Sequence, residues 1–403
     1  MITDKINTDT KSISSDELLE TAKKIGPFLN QFIDEEESNR RPSSQVLSCL
    51  RENGLFRLFM PKSLDGIETD PLTTAKVVEE VSRHNTGAGW SLMVANTSTW
   101  WCNRFPDKGI EEIYRKGPDT FIAGALHPPM KATPSDGGYI INGRSPLTSN
   151  VHEAHWIFVT AFVMEGEQMK MNNGLPVLIG ALMNAGKCGI IDTWYTLGMK
   201  GTDSNDIEAK NVFVPEHLSF FLTPEYERNQ HYKSPLYKFP AIGASIASLI
   251  APVALAVASN AISELKDLAG KKVPFGSQVS MKEKGTVQRK LGMAEAFVQS
   301  SRAYLHNTIT ESWNKTLAGE RLSPEDRAGL LLAITHTNQS CLQAVDLVYS
   351  AAGSSAIYNR SKISRYFSDA QVIRQHGFAN DSRYETAGQL YLGLFPDLPV
   401  VMF

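Results

Sequence analysis

Residues 198–218 read GMKGTDSNDIEAKNVFVPEHL, and a change of pattern inside this stretch decides how the chain is interpreted. The small and polar residues of its first part are Gly198, Gly201, Thr202, Ser204 and Asn205. Such a composition predicts a polar loop, and the following IEAKNVFVP predicts a β-strand. On local pattern alone an ordinary connecting loop is the simplest interpretation, and a ligand-binding loop is the alternative.

The β-rich pattern continues on the N-terminal side of this stretch. Short runs such as TFIAGAL, GGYIINGRSPLTS, AHWIFVTAFVM and LPVLIGALM are separated by Gly, Pro and Asn, which predicts an antiparallel sheet or barrel. DGGYIINGR predicts a hairpin with Gly137 and Gly138 in its turn. We therefore expect a middle β-barrel domain over residues 119–230.

Helical patterns occupy both flanks of the predicted β-domain. Apolar residues spaced three and four apart predict an N-terminal α-helical domain, residues 1–118, and a C-terminal helix-bundle domain, residues 231–403. The run Ser323-Pro324-Glu325-Asp326 is typical of a helix start. The most apolar run, AIGASIASLIAPVALAVASNAI, is rich in Ala and Ser, which favours a buried helix over a membrane span. The predicted fold class is α+β, mainly α.

Composition argues against several functional classes. The 403 residues carry a formal net charge of -3, so no bulk attraction to nucleic acid is expected. The four cysteines lie far apart without a CxxC motif, which indicates reduced thiols and no metal site. The polar N-terminus lacks the apolar core of a signal peptide, so we expect a cytoplasmic protein that is not bound to a membrane. Motifs of the GxGxxG, Walker, HExxH and GxSxG types are missing, so a Rossmann or hydrolase interpretation has no support.

A second group of polar residues follows a predicted strand. The hydroxyl and backbone N–H groups of Thr148, Ser149 and Asn150 could hydrogen-bond a heteroaromatic ring, although a plain turn is the more frequent outcome of such a pattern. Farther along the chain, His376 follows a predicted helix and Glu385 lies on another. By pattern alone a single His is more often structural than catalytic, and a single Glu is more often solvated.

Several motifs, taken in order, resemble those of the acyl-CoA dehydrogenase superfamily. They are ENGLFRLFMPKSLDGIE, SPLTSNVHEAHW, GMKGTDSNDIEAKNVFVPEHL, KKVPFG and YSAAGSSAIYNRSKISRYFSDA, and they extend over nearly the whole chain. The resemblance implies an acyl-CoA dehydrogenase-like fold with an N-terminal helical domain, a middle β-barrel and a C-terminal four-helix bundle. It also implies a homotetramer that binds flavin between the β-domain and the bundle.

The resemblance further implies which residues bind the flavin. Those of the ring site would be Thr148, Ser149, Asn150, Thr202 and Ser204. Those of the tail site, partly across a subunit boundary, would be Lys272, Phe275 and Gly353. Lys272 stands where the family usually has Arg, and it offers a point charge in place of a bidentate fork.

The position of the usual catalytic base separates two branches of this family. Counted from Asp369 and Ala370, the glutamate of the dehydrogenases falls on Gly377, and the residue before it falls on His376. A glycine cannot abstract a proton from a substrate carbon. Glu385 lies eight residues farther on, more than two helical turns away.

The C-terminal pattern resembles instead the oxygenase branch, which includes the oxygenase components of two-component flavin hydroxylases. That resemblance implies a reduced-flavin- and O2-dependent monooxygenase that acts through a C4a-(hydro)peroxyflavin on a small, aromatic or natural-product substrate. Reduced FMN or FAD would come from a separate reductase. His376 and Ser149 would be catalytic, and the substrate pocket would contain Trp90, Trp101 and His127.

Two alternatives stay open on sequence alone. The first is an FAD-dependent acyl-CoA dehydrogenase whose catalytic base has moved to another helix. The second is a family member kept for flavin binding or assembly and not for catalysis. Apolar helices that contain tryptophan are by default packed into a core, so the pocket role of Trp90 and Trp101 is likewise an alternative to plain packing.

Overall fold

The N-terminal part of the chain is a group of helices. The computed structural model describes residues 13–402. Its first six α-helices are α1 (Ser15–Leu29), α2 (Ile33–Asn39), α3 (Ser44–Glu52), α4 (Pro71–His84), α5 (Thr86–Trp101) and α6 (Asp107–Ile113). Helix α5 begins at the cap Asn85, whose Oδ1 accepts the Ala88 N–H at 3.0 Å. Twelve of its residues are buried, so α5 packs as a central helix and not as an amphipathic surface helix.

A mixed sheet forms the middle of the chain. Its strands are β1 (Ile122–Ser135), β2 (Gly138–Thr148), β3 (Trp156–Glu165), β4 (Gln168–Met169), β7 (Leu178–Asn184), β8 (Gly189–Ile191), β9 (Asn205–Pro215) and β10 (Ser219–Phe221), and β5 (Met171–Asn172) pairs separately with β6 (Leu175–Pro176). The order is β10-β7-β3-β1-β2-β9-β8, with β4 beside β3, and only the β1–β3 pair is parallel. The predicted β-domain is confirmed as a sheet, and within residues 13–402 no strand pairing joins its edges β10 and β8.

The predicted hairpin exists, but its turn is shifted by one residue. Ser135 pairs with Gly138, so the turn consists of Asp136 and Gly137, and Gly137 takes a φ of 70°. Gly138 belongs to β2 for a different reason. A Cβ atom there would lie 2.1 Å from the Val214 carbonyl oxygen, so the close approach of β9 requires glycine.

The C-terminal part of the chain is a helix bundle. Its helices are α7 (Ala251–Lys271), α8 (Gly285–Leu317), α9 (Pro324–Ala352), α10 (Lys362–Ile373) and α11 (Arg383–Tyr391). The predicted start of α9 is confirmed: the Ser323 hydroxyl accepts the Asp326 N–H at 3.1 Å, and Pro324 occupies the first turn. Together with the helical N-terminus and the central sheet, this bundle confirms the predicted fold class.

The most apolar helix lies inside the protein. Within the described residues, the segment Ile242–Lys271 is long and apolar enough to cross a membrane, and 94% of its most apolar window is buried. It begins with a π-helical segment, Ile242–Ala247, before α7. Its small residues let it pack closely against its neighbours, as expected of a core helix. This confirms the buried helix that the Ala- and Ser-rich sequence predicted.

Candidate active site

Two loops that the sequence predicted to be polar meet at the ends of neighbouring strands. Strand β2 ends at Thr148 and strand β9 begins at Asn205, and these two residues pair with each other. The residues that follow β2 and precede β9 therefore lie side by side. Ser149 and Ser204 come so close that their hydroxyl oxygens are 2.7 Å apart.

The two serines belong to a longer line of hydrogen bonds. The Trp90 indole N–H, on α5, donates to the Ser149 hydroxyl at 2.9 Å. Ser204 is in turn 2.7 Å from the Thr202 hydroxyl, which donates to the Met199 carbonyl at 2.9 Å. All five residues are buried. The structure thus joins Ser149, Thr202 and Ser204, predicted for the flavin ring site, and Trp90, predicted for the substrate pocket, into one hydrogen-bonded line.

The backbone of these loops adopts left-handed conformations that are unusual for residues other than glycine. The φ angles are 60° at Leu147, 55° at Asn150, 52° at Met199 and 52° at Asp203. Such angles cost energy for a residue with a Cβ atom, and they are concentrated at functional sites. Here they turn the chain sharply at both strand ends, which brings the hydroxyl side chains together.

Two polar side chains beside this line are left with unsatisfied atoms. The Thr148 hydroxyl is buried and has no hydrogen-bond partner among residues 13–402. One side of the Asn150 amide bonds the Ser91 hydroxyl at 2.9 Å, and its other side is buried without a partner in the same range. Buried polar groups of proteins are normally paired. These two atoms are therefore suited to a polar ligand bound against the ends of β2 and β9.

The loop that contains Thr202 is clamped by two buried carboxyl groups. Asp369, on α10, accepts the Met199 N–H at 2.6 Å. Gly198 lies flat on the same helix, since a Cβ atom there would be 2.3 Å from the Ser368 carbonyl group. On the opposite side Gly201 contacts Glu36 of α2, where a Cβ atom would come within 3.0 Å of the Glu36 Cβ.

Burial makes both carboxyl groups weak acids. It raises the pKa of Asp369 to about 7, although the Met199 N–H acts in the opposite direction. It also raises the pKa of Glu36 to about 7, against the hydrogen bonds from Asn85 and Ser43. The Asn85 amide donates to Glu36 at 2.7 Å and also caps α5, so Glu36 helps to place the helix that contains Trp90. Together with residues of α10, the two acids line a cavity of about 40 Å³.

A third carboxyl group organises the loop from within. Asp203 is fully buried and accepts hydrogen bonds from the His152 backbone N–H at 2.9 Å and from the Asn205 amide at 2.8 Å. Its Oδ1 is also 2.7 Å from His152 Nδ1. Because Arg41 can only donate and lies 2.8 Å from His152 Nε2, that nitrogen accepts and Nδ1 carries the proton. Asp203 thereby fixes the turn between Thr202 and Ser204.

His376 packs against the indole of Trp90. Their ring centroids are 5.8 Å apart in an edge-to-face arrangement, and the Phe378 ring lies 5.7 Å away on another side. Part of the residue stays exposed, and these two aromatic rings cover two sides of the imidazole. Burial lowers the pKa of His376 to about 4, and no charged group among residues 13–402 opposes this. The imidazole is therefore neutral at pH 7 and can accept a hydrogen bond.

No carboxylate takes part in this group. Among residues 13–402, the side-chain hydrogen bonds of Trp90, Ser149, Ser204 and His376 go to hydroxyl or backbone groups. Gly377 follows His376 as the sequence shows, and Glu385 is exposed at the start of α11. The group can position and polarise a ligand and can accept a hydrogen bond through an imidazole, but it contains no carboxylate base.

The predicted tail residues form a separate cluster at the end of α9. The Lys272 ammonium donates to the Ala352 carbonyl at 3.0 Å and to the Ser355 hydroxyl at 2.8 Å. Gly353, which follows Ala352, has a φ of 58°. Phe275 is fully exposed. Lys272 and Gly353 are thus brought together, with no hydrogen bond to the Ser149 group within the described residues.

The two other predicted pocket residues differ in their surroundings. Trp101 is buried and stacks on Phe158 with centroids 6.1 Å apart, in an aromatic cluster with Trp100. His127 is exposed on β1. Neither is hydrogen-bonded to Trp90 or His376 within residues 13–402. In the same range no group of three or more His, Cys, Asp or Glu side chains is arranged to hold a metal ion.

Some of these contacts could not be read from the sequence. Asp369 and Met199 are separated by 170 positions, and Asp203 and His152 by 51. The sequence contains a signal for Asp369 only through its place in the motif RYFSDA. It contains none for Asp203, which looks like any loop aspartate until its buried partners are known.

Comparison with known proteins agrees with this geometry. The family model of the acyl-CoA dehydrogenase N-terminal domain matches residues 16–109, and that of the C-terminal domain matches residues 248–381. The indole-3-acetate monooxygenase of Acinetobacter baumannii is 27% identical over 88% of both chains. The flavin-dependent monooxygenase oxygenase subunit HsaA of Mycobacterium tuberculosis is 27% identical over 89% of this chain and 91% of its own. Among solved structures, Streptomyces XiaF in complex with FADH2 and glycerol superposes with a TM-score of 0.87 at 22% identity, covering 96% of this chain and 97% of the other.

Proposed function

This chain belongs to the acyl-CoA dehydrogenase superfamily and its full-length homologues are flavin-dependent monooxygenases, and on that premise we propose that it is a reduced-flavin- and O2-dependent monooxygenase. The observation that carries the proposal is the contact of a neutral His376 with Trp90, whose indole N–H holds Ser149. A dehydrogenase needs a carboxylate at this place, whereas an oxygenase needs a neutral proton acceptor in dry surroundings.

The residues at the ends of β2 and β9 fit a flavin ring. The isoalloxazine edge presents carbonyl oxygens and ring nitrogens. The Thr148 hydroxyl and the Asn150 Nδ2, which have no partner among residues 13–402, are buried where they could bond such groups. Ser149, Thr202 and Ser204 would complete the ring site. When bound, the flavin supplies the activation of O2, and the protein supplies position and shielding.

The tail of the flavin would bind at the Lys272 cluster. The exposed Phe275, the Lys272 ammonium and the turn at Gly353 form a surface on which a pyrophosphate and a second ring could lie. Because this cluster shares no hydrogen bond with Ser149 among residues 13–402, we propose that it serves the flavin of a neighbouring subunit in a homotetramer. An isolated protomer would then bind the tail weakly.

His376 would act on the substrate side of the ring. A neutral imidazole can accept a hydrogen bond from a phenolic or indolic substrate, which orients the substrate and raises the electron density of its ring. Trp90 and Phe378 cover two sides of the imidazole and, with a bound substrate, would limit the access of water, which would suppress loss of oxygen as peroxide. The substrate class that suits these aromatic walls is a small aromatic or heteroaromatic compound, bound near Trp90 with Trp101 and His127 farther out.

The dehydrogenase alternative is not favoured. It needs a base beside the substrate carbon, and the hydrogen bonds around Ser149 and His376 include no carboxylate within residues 13–402. The two positions considered for such a base are Gly377, which has no side chain, and Glu385, which is exposed at the start of α11. Both named homologues are monooxygenases.

The test supplies the purified protein with reduced FMN or FAD from a separate flavin reductase, under O2, with indole-3-acetate and a panel of phenols. We expect an oxygenated product that contains label from isotopic O2, with little hydrogen peroxide when the right substrate is present. A parallel anaerobic sample with FAD receives medium- and long-chain acyl-CoA. Bleaching of the flavin by acyl-CoA, without any oxygenated product in the first assay, would overturn the proposal. The two-component arrangement is tested by whether any reductase that releases free reduced flavin supports turnover.

A further inference from the structure

The hydrogen-bonded line that passes through Ser149 has chemically fixed ends. At one end the Trp90 indole N–H can only donate, and it donates to Ser149. At the other end the Met199 carbonyl can only accept, and it accepts from Thr202. Three hydroxyl groups lie between these ends, in the order Ser149, Ser204 and Thr202.

Counting hydrogens settles the direction of the line. It contains four contacts, Trp90 to Ser149, Ser149 to Ser204, Ser204 to Thr202 and Thr202 to Met199. One indole hydrogen and three hydroxyl hydrogens are available for them. All contacts can be hydrogen bonds at once only if every hydroxyl donates toward Met199. Ser149 then has no hydrogen left, but it keeps one lone pair with which it can accept.

The far end of the line favours the same direction. The Met199 N–H donates to the buried Asp369, which holds in place the residue whose carbonyl accepts from Thr202. Chains of hydrogen bonds that point the same way strengthen one another. The Met199 carbonyl also accepts from the Trp194 indole at 3.1 Å, which marks it as a strong acceptor site.

We propose that this one-directional line selects the redox state of the flavin, and that Thr202 and Ser204 act as specificity-determining residues by holding Ser149 as an acceptor. The inference rests on the proposed function. Reduced isoalloxazine has an N–H at N5, and oxidised isoalloxazine has a lone pair there. Ser149 can accept from the reduced ring without any change. To donate to the oxidised ring, it must give up one of the four contacts in the line.

The proposal makes an unusual prediction for Thr202→Val, which has almost the same shape. Without the Thr202 hydroxyl, Ser204 is free to donate to Ser149, and the Ser149 hydrogen becomes available for the ligand. Oxidised flavin should then bind about fivefold more tightly, which corresponds to one net hydrogen bond, whereas reduced flavin should change little. Ser204→Ala frees the same hydrogen by a second route that leaves the Thr202–Met199 bond intact.

The experiment measures dissociation constants for oxidised and reduced FMN and FAD, by fluorescence quenching in air and by anaerobic titration. Thr202→Ser keeps the hydroxyl and should restore the wild-type ratio of the two constants. Thr196→Val is the matched control, because Thr196 also donates to a carbonyl, that of Gly198, in the same loop but outside the line. In Thr202→Val and in Ser204→Ala the two-electron midpoint potential of the bound flavin should fall by about 20 mV, the equivalent of that fivefold change.

Several outcomes would overturn the inference. One is a wild-type protein that binds oxidised flavin as tightly as reduced flavin. Another is a Thr202→Val or Ser204→Ala protein that loses affinity for both redox states equally, or keeps the wild-type ratio. If flavin binds and aromatic substrates are oxygenated while the ratio stays constant, only this inference fails. If neither flavin binds to the wild-type protein, the proposed function itself fails.

Discussion

Replacing Asp369 with Asn is expected to remove part of the alkaline destabilisation of this protein. Asp369 is buried and its Oδ1 accepts the Met199 N–H at 2.6 Å. Asn places an oxygen in the same position, so this hydrogen bond is kept, while the cost of burying a charge disappears. The groups whose charges act on Asp369 are Glu37, Arg365 and Lys200, and none of them changes in this variant.

The sign and size follow from the raised pKa of Asp369. Burial raises it from 3.8 to about 7, so between these values the folded protein holds a proton that the unfolded chain has released. The free energy of unfolding therefore decreases as the pH rises from about 4 to about 7, and it is constant above that range. At about 1.4 kcal/mol per pH unit the full loss is roughly 4 kcal/mol, of which roughly 2 kcal/mol falls between about pH 5.5 and pH 8.5.

The assay is thermal unfolding followed by circular dichroism at those two pH values. The wild-type Tm should fall more between about pH 5.5 and pH 8.5 than that of Asp369→Asn, with a difference between the two proteins of about 2–4 °C. Asp267→Asn, at an exposed position of α7, removes the same charge and should behave like the wild type. Glu36 leaves some pH dependence in every variant, since burial raises its pKa as well.

An equal fall of the Tm in Asp369→Asn and in the wild type would refute this reasoning. It would mean that Asp369 is ionised in the folded protein even at about pH 5.5, so that the Met199 N–H and Arg365 outweigh burial. A lower Tm of the variant at both pH values would instead show that the carboxylate itself, and not only its oxygen, holds the loop.

Three further outcomes are expected. His376→Ala should lower the yield of oxygenated product and raise hydrogen peroxide in the coupled assay, and an unchanged ratio of product to peroxide would contradict the role of His376. In the wild-type protein this ratio should be constant between about pH 6 and pH 8, because burial lowers the pKa of His376 to about 4. Trp90→Phe keeps an aromatic ring but loses the 2.9 Å bond to Ser149, so reduced flavin should bind about two- to tenfold more weakly, and equal affinity would show that Ser149 is held by Ser204 alone. Lys272→Ala should weaken FAD without affecting FMN, as measured by titration, because only FAD has the second phosphate and adenosine; equal effects on both would remove Lys272 from the tail site.

The sequence was most informative where local chemistry decides the structure. The Ser323 cap, the buried apolar helix and the β-rich centre all follow from short patterns, and each is confirmed. The hairpin turn was predicted one residue too late, because from the sequence alone either of the two adjacent glycines could occupy the turn. Only the packing of Gly138 against β9 shows which glycine belongs to the strand.

The candidate site could be predicted only in part, for a related reason. Its hydroxyl residues lie in polar loops that the pattern indicates, and the family resemblance brought them together. The direction of the Trp90–Met199 line depends on partners that are distant in sequence, such as Trp90 and Ser149, 59 positions apart. The parallel pairing of β1 with β3 was likewise not predicted, since a strand pattern does not specify which neighbour it meets.

The flat contact of Gly198 with α10 has a consequence for how this protein can diverge. Because the loop backbone at Gly198 rests directly on the Ser368–Asp369 peptide, no side chain at that position can absorb a shift of the helix. His376 follows that helix closely in the chain. A change in the tilt of α10 would therefore displace both His376 and the loop that contains Thr202. Variation that retunes substrate preference should therefore accumulate on α5 and β1, whereas this contact stays invariant among descendants.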